Sequence, residues 1–291
     1  TAGESAKAAG SVVIASGASP TGTAGQVTIT TGYSQTSPGG INIATADGGQ
    51  ETGAVAITSG TSDDGATGAI NIATGQTLGQ PGSISVSAGT GFSGQGGNVV
   101  LQAADSDQSA GGNIQVTSGS STFADSGQLD LTTGDSGRGV SGDVGIRTGT
   151  TQAKPSGAIN IVTGSSVGNS GGVNVRAGAS VSGIAGSIVV QSGSSNFGDG
   201  GDLQLNAGDS LQDGRGGQVN LVSGTGDVAS GDVLLATADT STGSSGTLEL
   251  VTGDAEHHSG SVVLASGAGS TGGSVTVLSG ASRDGAGGNI V

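Results

Sequence analysis

Aliphatic residues recur along this chain in pairs that one variable position separates. Gly10–Gly17, Gly25–Gly32 and Gly157–Gly164 all read Gly-x-Φ-x-Φ-x-small-Gly, where Φ is Val, Ile or Leu, and a polar stretch follows each of them. We name the two glycines the opening and closing residues. The two aliphatic positions are the first and second slots, and the small residue is the third slot. The whole segment with its polar stretch is one repeat.

The repeat occurs twenty times, with a mean spacing of 14.6 residues (278 residues over 19 intervals). All 39 aliphatic slots hold Val, Ile or Leu, and the third slot is always Ser, Thr or Ala. Gly closes 16 of 19 copies, and Ala46, Ala104 and Ala238 close the others. The opening glycines lie at positions 10, 25, 39, 53, 68, 82, 97, 112, 127, 142, 157, 171, 186, 201, 217, 231, 246, 260, 273 and 288.

Alternation of apolar and polar residues over a short, β-branched segment is typical of a strand. One repeat cannot fold alone, because two aliphatic side chains contribute roughly 3–6 kcal/mol whereas ordering fifteen residues costs about 15–30 kcal/mol. The pattern therefore predicts an all-β fold, a parallel β-solenoid of about twenty strand–turn units that support one another by stacking. Two units per coil are favoured; one or three per coil, and an antiparallel meander, stay open. Glycine at the closing position is expected to serve a sharp turn or a positive φ.

The repeats predict a single continuous array over residues 1–291. Neither end contains an atypical capping repeat of the kind that covers an exposed sheet edge. Thr1-Ala2-Gly3 reads as the tail of a strand, and Gly288-Asn-Ile-Val291 stops before its second slot. The expectation is a window of a longer chain or fibre, uncapped at both ends.

Composition narrows the function classes. The 63 glycines show no three-residue period and there are only 4 prolines, so the chain is not collagen. Cysteine is absent, which excludes disulfides and thiolate metal sites. The net charge of −15 disfavours nucleic acid, and no apolar run is long enough to predict a membrane span. Lys7, Arg138, Arg147, Lys154, Arg176, Arg215 and Arg283 are the only basic residues other than His.

No catalytic, cofactor-binding or metal-binding residue is assigned, and the chain is predicted not to be an enzyme. His257 and His258 are the only histidines and lie beside Asp254 and Glu256, but adjacent residues of an extended segment point opposite ways. No cofactor is predicted, and calcium bound by the acidic turns is the weaker alternative. Gly198-Asp-Gly-Gly-Asp-Leu-Gln-Leu205 resembles one copy of the calcium-binding nonapeptide of RTX β-rolls, although the 14.6-residue period differs from nine.

The variable position between the two slots does not repeat one residue type. Thr28-Ile29-Thr30 would suit ice binding, but the following repeats carry Asn42, Ala56 and Asn71 there. Five repeats carry an aliphatic residue at this outward position, which suggests lateral contacts between filaments: Val13, Val100, Val189, Leu234 and Val263. The four aromatic side chains are expected to pack against the backbone of the turns: Tyr33, Phe92, Phe123 and Phe197.

Taken over nearly the whole chain, the repeat resembles the Gly/Ser/Thr-rich β-solenoid arrays of surface and secreted proteins in microbes and algae. The resemblance implies an extracellular or cell-surface filament, stalk or matrix rod that self-associates end to end or laterally. Ser/Thr-rich turns leave O-glycans open. The alternative is a surface adhesin or a module that binds glycan, calcium or ice.

Overall fold

A computed structural model of the chain describes residues 2–3, 9–282 and 285–291; Thr1, Lys7 and Arg283 lie outside these ranges. The described residues form no helix and no β-strand. The predicted parallel β-solenoid is therefore wrong, and the assignment of two units to a coil fails with it. The described part of the chain is an irregular coil with a regular series of turns.

The chain divides into two units, Thr1–Gly145 and Ile146–Val291, and the division falls inside the repeat that Gly142 opens. Within each unit the backbone bends sharply once in every described polar stretch. Examples are residues 63–65 and 107–109 in the first unit, and residues 196–198 and 241–243 in the second. The segments that carry the aliphatic pairs run between these bends without a sharp turn of their own.

Each polar turn begins at a closing residue and ends at the next opening glycine, and we call the place where these two residues meet the neck of the turn. Within the described ranges, backbone hydrogen bonds between successive segments occur only at these necks. There the amide of an opening glycine donates to the carbonyl of the preceding closing residue, as from Gly25 to Gly17 (2.9 Å) and from Gly217 to Gly208 (2.8 Å). A sheet requires such bonds to continue along the segments as a ladder. Without that ladder, the two aliphatic side chains of a repeat do not offset the entropy of ordering it.

No described residue is buried. The chain exposes 29044 Å² of surface, whereas a folded monomer of 26.9 kDa exposes about 11,000 Å². The described residues contain no helix that could cross a bilayer. The aliphatic residues that a solenoid would have enclosed are thus left at the surface of the single chain.

At the neck it is the opening glycine, and not the closing one, that the structure requires. No described glycine has a positive φ, and a Cβ added to the closing Gly17 would meet open space. A Cβ added to the opening Gly25 would lie 3.1 Å from both the Ser16 Cβ and the Gly17 nitrogen. The expected role of the closing glycine is therefore wrong. It is the opening glycine that allows the two backbones to approach.

Candidate interaction surface

The first and second slots together form what we call the aliphatic face. First-slot side chains are about half exposed, for example Val27 at 48%, and second-slot side chains are somewhat more exposed, for example Leu101 at 78%. Aliphatic residues at the outward position between the slots reach 86% at Leu234. The slot residues and the outward residues therefore lie on two different faces of each segment, as the alternation in the sequence predicts, although no strand forms in the described ranges.

The aliphatic face carries no charge, because no acidic or basic residue occupies the first, second or third slot of any repeat. Most of the acidic residues lie in the turns. Five acidic residues lie on the opposite face, which we call the outward face: Asp130, Asp143, Asp202, Asp232 and Glu249. Side chains on that face also bond to each other, since the Gln218 amide donates to Asn220 Oδ1 (2.8 Å) and the Gln128 amide donates to Asp130. Charge and aliphatic surface are thus segregated.

Closure of the neck follows the residue type in the third slot at most turns. All ten necks with a backbone hydrogen bond have Ala or Ser in that slot, as at Ala88 and Ser118. Eight of the ten necks that lack the bond, all within described residues, have Thr there. The Thr45 Cγ2 lies 3.4 Å from where a Cβ of Gly53 would be, so the branched side chain occupies the space beside the opening glycine. A bulkier third slot therefore holds the two backbones apart.

Two necks with Ser in the third slot are also open. The Ser266 hydroxyl donates instead to the carbonyl of the opening Gly273 (3.0 Å). Nothing in the structure explains the open neck that follows Ser59. Open necks mostly follow other open necks along the chain, and closed necks mostly follow closed ones. Similar repeats also recur six units apart, since Gly68–Gly75 and Gly157–Gly164 begin 89 positions apart and differ at one residue.

We expect Ser192→Thr to open the neck between Gly193 and Gly201, which is closed by a bond of 2.9 Å. Losing a backbone hydrogen bond worth about 0.5–1.5 kcal/mol should raise the exchange rate of the Gly201 amide roughly two- to tenfold. Amide hydrogen exchange by NMR measures the change. Ser192→Ala is the control, because Ala occupies the third slot of other closed necks. Equal protection in the Thr and Ala variants would show that the third slot does not control closure.

A hydroxyl at a fixed place orders most turns, and the sequence pattern above did not single it out. The second residue after the closing residue is Ser or Thr in 14 of the 19 described turns. In 13 of these its oxygen accepts a backbone amide two or three residues further on, as from Gly65 to Ser62 (3.0 Å) and from Gly183 to Ser180 (2.9 Å). Local side-chain bonds of this kind favour turns over strands and helices.

Glycine stands in place of Ser or Thr at this position in four turns, and there the turn backbone occupies the space that a side chain would need. A Cβ on Gly91 would lie 2.7 Å from the carbonyl oxygen of Gly94, and a Cβ on Gly48 would clash with the carbonyl oxygen of Glu51. The preference for Ser, Thr or Gly at the second residue after the closing residue can be read from the sequence. Aligning the turns on their closing residues, as well as the aliphatic segments, would have revealed it.

The residues considered for metal binding do not form a cluster. Within the described ranges, no group of three or more His, Asp or Glu side chains could hold a metal ion, and His257, His258, Asp254 and Glu256 are all exposed. The acidic residues of Gly198–Leu205 are exposed as well. No cavity is present in the described part of the chain. The structure therefore leaves these residues as separate exposed side chains.

The aromatic side chains do not pack against the turns. Tyr33 is 90% exposed, and the side chains of Phe92, Phe123 and Phe197 are fully exposed. The expectation that they pack on the turn backbone is wrong, because the turns are bonded through their own hydroxyl and backbone groups. Thr28 and Thr30 are exposed on a face whose neighbouring repeats do not continue the Thr pattern.

The chain was compared with family models, with curated proteins and with solved structures, and nothing matches it.

Proposed function

We propose that this protein is a structural component of an extracellular fibre, stalk or matrix, and that it works by self-association rather than by catalysis. The observation that carries the proposal is the aliphatic face, an uncharged series of Val, Ile and Leu that repeats throughout the chain and whose side chains are about half exposed or more. An exposed apolar surface of this extent marks an interaction site.

The repeat makes association strong only when many copies of it act together. Covering one half-exposed aliphatic side chain contributes about 1 kcal/mol. Association first costs an estimated 4–15 kcal/mol in lost translational and rotational freedom. A contact over one or two repeats therefore does not form, whereas a contact over eight repeats recovers about 16 kcal/mol. This dependence on length suits a long chain whose role is to assemble.

Other features of the chain agree with an extracellular structural role. The lack of cysteine and methionine leaves no readily oxidised sulfur. The exposed Ser and Thr hydroxyls in the turns are available for O-glycans, and the acidic turns keep the surface hydrated. The likeness in composition to the Gly/Ser/Thr-rich arrays of secreted and surface proteins supports the same location.

The proposal is tested by measuring the mass of the full chain in solution as its concentration rises. We expect static light scattering at pH 7 and physiological salt to show a mass that climbs well above 26.9 kDa, and negative-stain electron microscopy to show elongated assemblies. A mass that stays at that of one chain up to the solubility limit would rule out the structural role.

A further inference from the structure

We infer that the aliphatic face is the surface through which two copies of this chain bind, and that the outward face stays in water. The inference rests on the proposed function and adds the surface and the partner to it. The outward face also carries aliphatic residues and could in principle make lateral contacts. The inference assigns the contact to the aliphatic face instead.

The two surfaces differ in continuity. Every complete repeat contributes two aliphatic side chains to the aliphatic face, so each unit of the chain carries that face through all of its complete repeats. Among the nineteen complete repeats the outward position is aliphatic in only five, and acidic or amide residues lie between them along the chain, as at Asn71, Asp130 and Asn160. Burying the outward face would therefore take carboxylates and amides out of water, at a high cost when they lack partners.

The area available is sufficient for a stable dimer. A standard interface buries about 800 Å² on each partner. Full burial of one aliphatic side chain removes roughly 60–120 Å² from water, and a half-exposed side chain still has about 50 Å² of this to lose. About sixteen side chains, or eight successive repeats, thus supply the area. Each unit of the chain contains nine complete repeats.

A second copy fits this face better than the other candidates. Its own aliphatic face has the same 14.6-residue mean spacing, so side chains can meet repeat by repeat within a unit without an unpaired charge. A globular partner would cover only a short part of the face. A lipid bilayer offers a continuous apolar surface, but the acidic turns that flank the face would be repelled by the anionic lipids of a membrane surface.

Two five-site variants of the full chain separate the faces within the same five repeats. The first replaces first-slot residues by Thr: Val12, Val99, Ile188, Val233 and Val262. The matched control replaces the adjacent outward residues by Thr: Val13, Val100, Val189, Leu234 and Val263. Both sets remove similar apolar area and add five hydroxyls, and neither disturbs a buried core, since these residues are exposed in the single chain.

Sedimentation velocity of both variants and of the wild type, over a concentration series at pH 7 and 150 mM salt, gives the association constants. We expect the first-slot variant to lose roughly a hundredfold or more in association constant, because each hydroxyl would be buried without a partner. The outward variant should stay within about threefold of the wild type, since its hydroxyls remain in water.

The results that would overturn the inference differ from the result that would overturn the proposed function. Equal losses in the two variants, or a larger loss in the outward variant, would overturn the inference while leaving the structural role in place. A wild type that never associates would overturn the proposed function itself. A wild type that stays monomeric but floats with phosphatidylcholine vesicles would show that the face binds lipid rather than a second copy, and this too would overturn the inference.

Discussion

Chains that carry Ile161→Asp, Val175→Asp and Leu221→Asp should remain monomeric at concentrations at which the wild type assembles. These second-slot side chains are 72%, 70% and 62% exposed in the single chain, so the substitutions do not disturb a core. In an assembly each carboxylate would be taken out of water beside aliphatic groups, which costs several kcal/mol per ion. That exceeds the contribution of about 1–2 kcal/mol lost with each aliphatic side chain. Light scattering against concentration measures the effect.

The control for this variant adds the same charge to the same three repeats on the outward face, as Asn160→Asp, Asn174→Asp and Asn220→Asp. These side chains are exposed, and Asn220→Asp keeps the oxygen that accepts the bond from Gln218. The control should assemble nearly as well as the wild type. If both triple variants stay monomeric, the added charge rather than its position prevents assembly, and the aliphatic face is not the interface.

Assembly at pH 7 should strengthen roughly tenfold or more when the salt concentration rises from 10 mM to 150 mM. The chain carries a net charge of −15, so two copies repel each other. Salt shortens the Debye length from about 30 Å to about 8 Å, and exposed charges further apart than this are largely screened. Hydrophobic contacts have no comparable dependence over this range. Sedimentation velocity at the two salt concentrations gives the association constants.

The same measurement near pH 4 is the control for charge. The sequence isoelectric point is about 4.1, so the net charge that opposes assembly is nearly gone there. Assembly should be strong at both salt concentrations. A salt effect of equal size at pH 4, or an assembly that weakens as salt rises at pH 7, would show that attraction between charges holds the copies together and would contradict the aliphatic interface.

The stretches of chain that bend, and the residues that share a face, could be predicted from the sequence. The bends lie in the polar stretches between a closing residue such as Gly60 and an opening residue such as Gly68. First-slot residues such as Val99 are more covered than their outward neighbours such as Val100, at 54% against 77% exposure. Both features are local. Alternation follows from the geometry of a single segment, and a turn follows from its own Ser, Thr or Gly.

The behaviour of the neck could be predicted only in part. The third slot was recognised as a small residue, but the difference between Thr and Ala or Ser within that class was not. The difference matters because one extra methyl group, such as the Thr252 Cγ2 at 3.3 Å from where a Cβ of Gly260 would be, lies in the space that the closing backbone needs. A pattern that groups residues by size class does not resolve a single methyl group.

The repeat length, the two faces of each segment, the turns and the separation of charge from aliphatic surface were determined by the sequence alone. Only the tertiary structure decided that the described segments do not pair as strands and that the aliphatic residues stay exposed. Pairing depends on hydrogen bonds and buried area between segments that are remote along the chain, and a periodic sequence permits such contacts without requiring them. Two aliphatic side chains per repeat are too few to order a repeat within one chain.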